Sequence, residues 1–171
     1  MLHYTQNPTP HSPSWLQDAC TPELCKMSNQ PPSDDDSLNA IASHAQTLVN
    51  AETAVVALLE AGGETLFYAA AAGKHAAAIV GKRGATATSG LCGAALASGQ
   101  PELVCQTQGD LRIRQDIAEA LGITTALAVP ISHEGELMGA LMVLNRQDDR
   151  AFDEAARDRL SAYAQEASTL L

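Results

Sequence analysis

The sequence predicts an α+β domain in which helices flank a central, mainly antiparallel sheet. Two pairs of apolar segments, each joined by a short turn that contains glycine, predict β-hairpins over residues 53–72 and 124–145. Segments with helical apolar spacing precede the first hairpin and follow the second. Because strands joined by a tight turn run antiparallel, this order of helix, hairpin, insert, hairpin and helix indicates an antiparallel sheet covered by helices.

Residues 1–36 are predicted to form a disordered tail, and residues 37–171 the folded domain. The tail holds six of the eight prolines, set among polar residues, and cannot bury enough apolar surface to offset the entropy lost on ordering. The segment SWLQDACTPELC, with Trp15, is the exception and is a candidate for docking on a partner. The simpler interpretation is a solvated leader, without which the domain is expected to fold.

Each element of the domain has a local signal. Asp36 and Ser37 offer capping side chains to the first helix. Alanine-rich stretches over 75–80 and 88–99 predict two short helices, the second of which ends at Gly99. A brief strand over 101–105 and a loop lead to a helix closed by Gly122. The last helix carries one apolar stripe, formed by Phe152, Ala156, Leu160, Tyr163, Ala167 and Leu170.

The charge of the chain excludes two classes of partner. Twenty acidic residues against ten basic ones give a formal net charge of -10, which argues against nucleic acid and anionic membrane surfaces. The start of the chain has no basic region followed by an apolar run, so no signal peptide is predicted. No apolar run is long enough to cross a bilayer. We therefore expect a cytoplasmic protein whose cysteines are reduced.

Three segments that follow the first hairpin resemble a GAF domain, the small-molecule sensor module of phosphodiesterases, cyclases and bacterial signalling proteins. They read SGLCGAALASGQPELV, then LRIRQDIAEALGITTALAVPISHEGELMGALMVLNR, then AFDEAARDRLSAYAQEASTLL. The resemblance covers residues 37–171. It implies an antiparallel sheet with helices on one face, a ligand pocket on the other and terminal helices that pair in a homodimer. The apolar residues available for that pairing are Leu38, Ile41, Leu48, Leu160 and Leu170.

Residues at a few positions distinguish among the activities known in this family. Cys92 is followed by glycine and Cys105 by glutamine, so the Cys-His signature of bilin-binding members is missing. Ala156 and Arg157 stand where cyclic-nucleotide-binding members carry an Asp-Glu pair. Free-methionine sulfoxide reductases are similar at the segment LCGA, but the thiol of their second segment has no counterpart here.

The resemblance therefore implies a non-enzymatic sensory or regulatory module. Such a module binds a small molecule or senses redox state and signals through a protein partner. One alternative is a GAF scaffold with a vestigial pocket that serves as an interaction or assembly subunit. The other is a degenerate oxidoreductase similar to the methionine sulfoxide reductases.

The candidate pocket residues are Ser89, Leu91, Cys92, Cys105, Arg112 and Arg114. Cys92 falls in the first turn of a helix beginning at Gly90, which Thr88 or Ser89 is expected to cap. Unpaired N–H groups there lower the pKa of a thiol if the sulfur meets water, which makes Cys92 a candidate reactive thiol. The alternative is that Cys92 is a small apolar filler of a tightly packed helix.

The remaining candidates concern anions and metals. Cys105 ends the strand that returns after Gly99 and is expected to run near Cys92. Arg112 and Arg114 are suited to a carboxylate or phosphate, or else are solvated opposite Asp110 and Asp116. The cofactor stays unknown. No metal site is predicted, because the five histidines, His44 among them, lack metal-ligand spacing and the pair Cys20 and Cys25 supplies too few ligands unless a second chain adds some.

Overall fold

The computed structural model describes residues 34–171, and the structural statements below concern that part of the chain. Its core is a six-stranded antiparallel sheet in the order β3-β2-β1-β6-β5-β4. The elements are α1 (Asp34–Leu48), β1 (Ala51–Leu59), β2 (Thr65–Gly73), α2 (Ala76–Ile79), β3 (Arg83–Ala85), α3 (Gly90–Ser98), β4 (Glu102–Val104), α4 (Gln115–Leu121), β5 (Ala126–His133), β6 (Glu136–Arg146) and α5 (Glu154–Ser168).

Two hairpins, β1–β2 and β5–β6, build most of the sheet. Val55 pairs with Ala71 in the first hairpin and Val129 with Leu141 in the second. Strands β1 and β6 pair with each other at the centre, where Val55 lies opposite Met142. The predicted α+β class with an antiparallel sheet is therefore confirmed.

Helix α1 begins earlier than the sequence predicts. It is already formed at Asp34, so Asp36 and Ser37 lie within the helix, and their assignment as caps was wrong. Three consecutive carboxylates, Asp34 to Asp36, occupy the first turn, where the helix dipole favours negative charge. The predicted tail lies almost wholly outside the described residues, and the division at residue 36 stays a prediction.

Helices α1 and α5 pack on one face of the sheet over a core of large side chains. Asp153 caps α5, since its Oδ1 accepts a hydrogen bond of 2.8 Å from the Ala156 N–H. The ring of His44 contacts that of Tyr163 with centroids 4.5 Å apart, which joins the two helices. None of the described helices is long and apolar enough to span a bilayer. The largest buried side chains of this core are Ile41, Leu127, Ile131, Leu141, Phe152 and Leu160.

The opposite face of the sheet carries small side chains. Alanines occupy many of its inward positions, among them Ala57, Ala126, Ala128 and Ala140, all fully buried. Helix α3 packs there, and the turn before it approaches it closely, since a β-carbon added to Gly93 would overlap the Thr86 carbonyl oxygen. Because alanine fills little volume, this face can hold both a tightly packed helix and an open cavity.

The buried side chain of Asn145 joins four elements at the end of β6. Its Oδ1 accepts hydrogen bonds from the Thr124 N–H (2.8 Å), the Thr124 hydroxyl (3.2 Å) and the Thr125 N–H (3.4 Å). Its Nδ2 donates to the Gly122 carbonyl (3.0 Å) and to Glu52 Oε2 (3.2 Å). One amide thus ties β6 to β1, to the start of β5 and to the residue that closes α4.

We expect Asn145→Ala to lower the free energy of unfolding by about 2–4 kcal/mol, because it leaves buried donors and acceptors unpaired. Asn50→Ala is the matched control. Asn50 has a similar positive φ (54° against 53°), but it is exposed and its side chain makes no hydrogen bond to the described residues. The control should lose only about 1 kcal/mol, the cost of a left-handed backbone at alanine. Equal losses in urea titrations would contradict the role given to the amide.

Candidate functional site

A cavity of about 450 Å³ lies on the alanine-bearing face of the sheet. Helix α2, the start of α3 and helix α4 close it on its other sides. Its volume falls in the range of about 300–1,000 Å³ that is typical of small-molecule sites. The lining is mainly apolar and includes Ile79, Leu91, Ile123, Ala126, Met142 and Leu144.

A larger groove of about 890 Å³ lies at the end of the sheet where both hairpins turn. Backbone of the two turns forms part of its wall, and its rim carries Asp34, Glu60, Glu134 and Glu136. The smaller cavity is more apolar and is bounded by helices as well as by the sheet. The candidate site is therefore the smaller cavity.

Polar groups gather at one side of this cavity, around Tyr68. Burial raises the pKa of the Tyr68 phenol above its ordinary value, and the nearby Cys92 thiol adds to the rise. The Ser89 hydroxyl and the charge of Arg114 act in the opposite direction on that pKa. Tyr68 is consequently a neutral phenol at neutral pH, able to donate a hydrogen bond into the cavity.

Three cations and one carboxylate, that of Asp116, line the cavity. Arg83 is paired with Glu60 at 2.6 Å and lies over the Phe67 ring, and Arg114 is paired with Asp116 at 2.8 Å. The hydrogen bond from Arg114 lowers the pKa of the Asp116 carboxyl. The third cation is exposed Lys82.

Three of the six residues predicted for the pocket line this cavity: Ser89, Leu91 and Arg114. Arg112 does not, because it bridges Glu102 Oε2 and Asp110 Oδ2, each at 2.7 Å. These bonds raise the pKa of the Arg112 guanidinium and lower that of the Asp110 carboxyl. Arg112 therefore fastens the loop before α4 to strand β4.

Cys92 is fully buried and packs against Leu66, Leu96 and Ala140. Its Sγ lies 3.5 Å from the Met142 Sδ. Burial raises the pKa of the thiol to about 12. The predicted lowering of the Cys92 pKa required that its sulfur contact water, and the sulfur has no such contact because Cys92 is fully buried.

The predicted cap of α3 was also wrong. The Ser89 side chain makes no capping hydrogen bond, and its hydroxyl donates to the Ala85 carbonyl at 2.7 Å. The Thr88 hydroxyl faces the same carbonyl at 3.4 Å. The short 3-10 turn over Thr86–Thr88 directs both hydroxyls back along the chain.

Cys105 is an exposed free thiol in a different environment. Its Sγ lies 3.8 Å from the carbonyl oxygen of Phe152, a residue of the core beneath α1 and α5. The structure does not bring it into contact with Cys92, and both are free thiols. Within residues 34–171, no three His, Cys, Asp or Glu side chains cluster in a way that suits a metal ion. Cys20 and Cys25 lie outside the described residues.

Sequence reasoning missed Tyr68, Lys82 and Met142 as cavity residues. Tyr68 and Met142 lie on strands in which almost every residue is apolar. The alternation of apolar and polar residues therefore could not show which face of the sheet they occupy. Lys82 could have been found from the sequence more easily than Tyr68 or Met142. It belongs to the adjacent basic pair Lys82-Arg83, which is conspicuous in a chain of net charge -10.

We expect Cys92 to resist iodoacetamide in the native full-length chain at neutral pH, whereas Cys105 is alkylated. A buried thiol with a raised pKa exposes almost no thiolate, so the rates should differ by about 100-fold or more. Mass spectrometry of peptides after timed quenching measures both rates in one sample. In denaturant the two thiols should react at similar rates. Native labelling of Cys92 as fast as that of Cys105 would restore the redox interpretation.

A family model described as "GAF domain" matches residues 33–171. Similar solved structures include the GAF domain of an Acinetobacter phosphoenolpyruvate-protein phosphotransferase, with TM-score 0.69, 20% identity, and coverage of 94% of this chain and 94% of that one. Free methionine-R-sulfoxide reductase from Neisseria meningitidis, in complex with its substrate, has TM-score 0.67 and 18% identity, with 87% and 84% covered. The GAF-B domain of DevS from Mycobacterium smegmatis has TM-score 0.64 and 19% identity, with 81% and 92% covered.

No protein of curated function matches the chain significantly in sequence. At these identities the structural likeness concerns the fold, and it includes both sensory domains and reductases. The family match spans most of the chain and every described element. The resemblance seen in the sequence is thereby confirmed: the chain belongs to the GAF domain family.

Proposed function

We propose that this chain is a non-enzymatic GAF-type sensory module that binds a small molecule in the cavity and signals through a protein partner. The cavity itself is the observation that carries the proposal. It lies on the side of the sheet away from α1 and α5, its lining is mainly apolar, and a few polar groups converge on it. That combination is typical of small-molecule sites.

Helix α4 covers one side of the cavity, and its attachment to the rest of the domain suits it to transmit a signal. Helix α4 has only seven residues. Side-chain hydrogen bonds hold its two ends: Gln115 donates to the carbonyls of Thr107 (2.8 Å) and Asp110 (3.1 Å), and Asn145 donates to that of Gly122. Ala118 is the one buried residue of this helix, so its position depends mainly on these few hydrogen bonds. A ligand that binds the closed form better would shift its population.

Apolar side chains on and beside this cover are exposed. Ile117 of α4 is 42% exposed, and Leu111 of the preceding loop is fully exposed. Exposed apolar residues beside α4 are suited to a partner that responds to the state of the cavity. The same surface would also serve the alternative, a scaffold whose vestigial pocket binds nothing.

We also propose a homodimer through the terminal helices, but its interface differs from the set of residues expected from the sequence. Leu38, Ile41 and Leu160 are buried in the protein's own core and are not available to a second subunit. Leu170 is 64% exposed. A dimer would therefore use the outer faces of α1 and α5 together with the exposed end of the chain.

The oxidoreductase alternative is supported by the fold it shares with methionine-R-sulfoxide reductases. Its chemistry needs an accessible thiolate. Cys92 offers a buried thiol with a pKa of about 12, and Cys105 lies in a different environment. These observations favour the non-enzymatic module.

Filling the cavity tests the proposed site. Ala126 lines the cavity, whereas Ala128, two residues along the same strand and equally buried, does not. We expect Ala126→Leu to lower the affinity for the uncharged fluorophore N-phenylnaphthylamine by about tenfold, since a leucine at the cavity wall takes up ligand space. Ala128→Leu should instead cost about 1–3 kcal/mol of stability through overpacking, with the fluorophore still bound.

Fluorescence titration and urea unfolding of the full-length variants measure both effects. Native mass spectrometry of freshly purified protein shows in addition whether a small molecule is carried through purification. Binding that Ala126→Leu leaves unchanged would contradict the cavity as the site and favour the scaffold alternative.

We expect no reduction of free methionine-R-sulfoxide above the buffer rate with dithiothreitol as reductant, because Cys92, the thiol in the segment that resembles these reductases, is buried and its pKa is raised. Methionine formation, followed by chromatography, is the readout. The control is Cys92→Ala, which should behave like the unmodified chain. Turnover that disappears in this variant would establish the enzymatic alternative.

A further inference from the structure

We propose, on the basis of the function proposed above, that the ligand is an amphipathic organic anion. Its apolar body packs against Ile123, Met142 and Leu144, and its carboxylate or equivalent anionic group binds Lys82 and Arg114. The charge, the polar donors and the layout of the cavity each support this assignment.

The cavity is locally cationic in an acidic protein. Three cations and one carboxylate line it, although the chain carries twice as many acidic as basic residues. Arg83 forms an ion pair with Glu60. Among residues 34–171, Lys82 has no ion pair or side-chain hydrogen bond, which leaves its ammonium group for a ligand. Low-dielectric walls strengthen the field of cations that line a cleft.

Hydrogen-bond donors stand beside these cations. The Tyr68 phenol keeps its proton because burial raises its pKa, so it can donate to an anion. Cys92 is protonated for the same reason and places no negative charge at this end of the cavity. Arg114 contributes a guanidinium fork, which suits a carboxylate. Its ion pair with Asp116 is exposed on both sides, so water weakens that bond and a ligand can share the guanidinium.

The sheet topology separates the charged end of the cavity from its apolar end. Tyr68 lies on β2, next to the edge strand, and its N–H donates to the Lys82 carbonyl at 2.9 Å. Ala126 lies on β5, paired with Leu144 of β6. Strands β2 and β5 are three positions apart in the sheet, which corresponds to roughly 14 Å. A ligand that spans the cavity would thus meet cations at one end and aliphatic side chains at the other.

Two fluorophores with the same aromatic body test the inference on the full-length chain. Anilinonaphthalene sulfonate carries a negative charge and N-phenylnaphthylamine carries none. We expect the double variant Lys82→Gln and Arg114→Gln to weaken binding of the anion by about tenfold or more, with the neutral probe changed less than about twofold. Lys74→Gln is the matched control, because Lys74 is an exposed cation outside the cavity. It should leave both affinities unchanged.

Ionic strength gives a second readout. Added salt should weaken binding of the anionic probe and leave the neutral probe unaffected, because the two cations are exposed to solvent and are screened. The double variant should remove this salt dependence, and Lys74→Gln should retain it.

The outcomes separate this inference from the function on which it rests. If Ala126→Leu weakens both probes but the double variant does not discriminate between them, the cavity binds ligands without preference for anions, and the inference is overturned alone. If the anion does not bind while the neutral probe does, the inference is likewise overturned. If Ala126→Leu affects neither probe, the cavity is not the binding site and both proposals fall.

Discussion

The buried amide of Asn145 holds the cover of the cavity to the centre of the sheet. A buried donor or acceptor left unpaired lowers the stability of the fold by more than one hydrogen bond adds to it. The five hydrogen bonds of this side chain therefore fix the positions of its partners relative to one another. The Thr125 hydroxyl extends the connection, since it donates to the Val104 carbonyl (2.8 Å) and accepts from the Phe152 N–H (3.1 Å). Strand β4, helix α4 and the approach to α5 are therefore positioned from a single region at the ends of β5 and β6.

The two faces of the sheet pack against different elements. Beneath α1 and α5, leucine, isoleucine and phenylalanine fill the space together with alanines of the helices and strands. On the other face, alanines of the sheet lie beneath α3, and a cavity of about 450 Å³ is lined by this face, α2, the start of α3 and α4. Because alanine fills little volume, it leaves room for such a cavity.

Burial decides the chemistry of the cavity more than proximity to a helix end does. A thiol in the first turn of a helix gains from the dipole only where the thiolate can be solvated. Cys92 lies against Met142 and has no access to water, so desolvation dominates its pKa. Charge at this site comes instead from the exposed side chains of Lys82 and Arg114, which line the cavity. The proposed ligand is accordingly one that binds through its charge and its apolar surface, without covalent chemistry.

The sequence by itself determined most of the elements, including the two hairpins, because periodicity, glycine-closed helices such as those ending at Gly99 and Gly122, and turn residues are local properties. It missed the short edge strand Arg83–Ala85, which forms only by pairing with β2. The family followed from the resemblance of three segments to a GAF domain. The sequence also indicated that Ser89, Leu91 and Arg114 belong to one region. Only the tertiary structure decided that Cys92 is buried and that Arg112 forms ion pairs with Glu102 and Asp110. It also decided that Tyr68 and Lys82 line the same cavity as the start of α3. These outcomes depend on which residues from distant segments exclude water or supply a counter-charge, and local patterns carry no information about that.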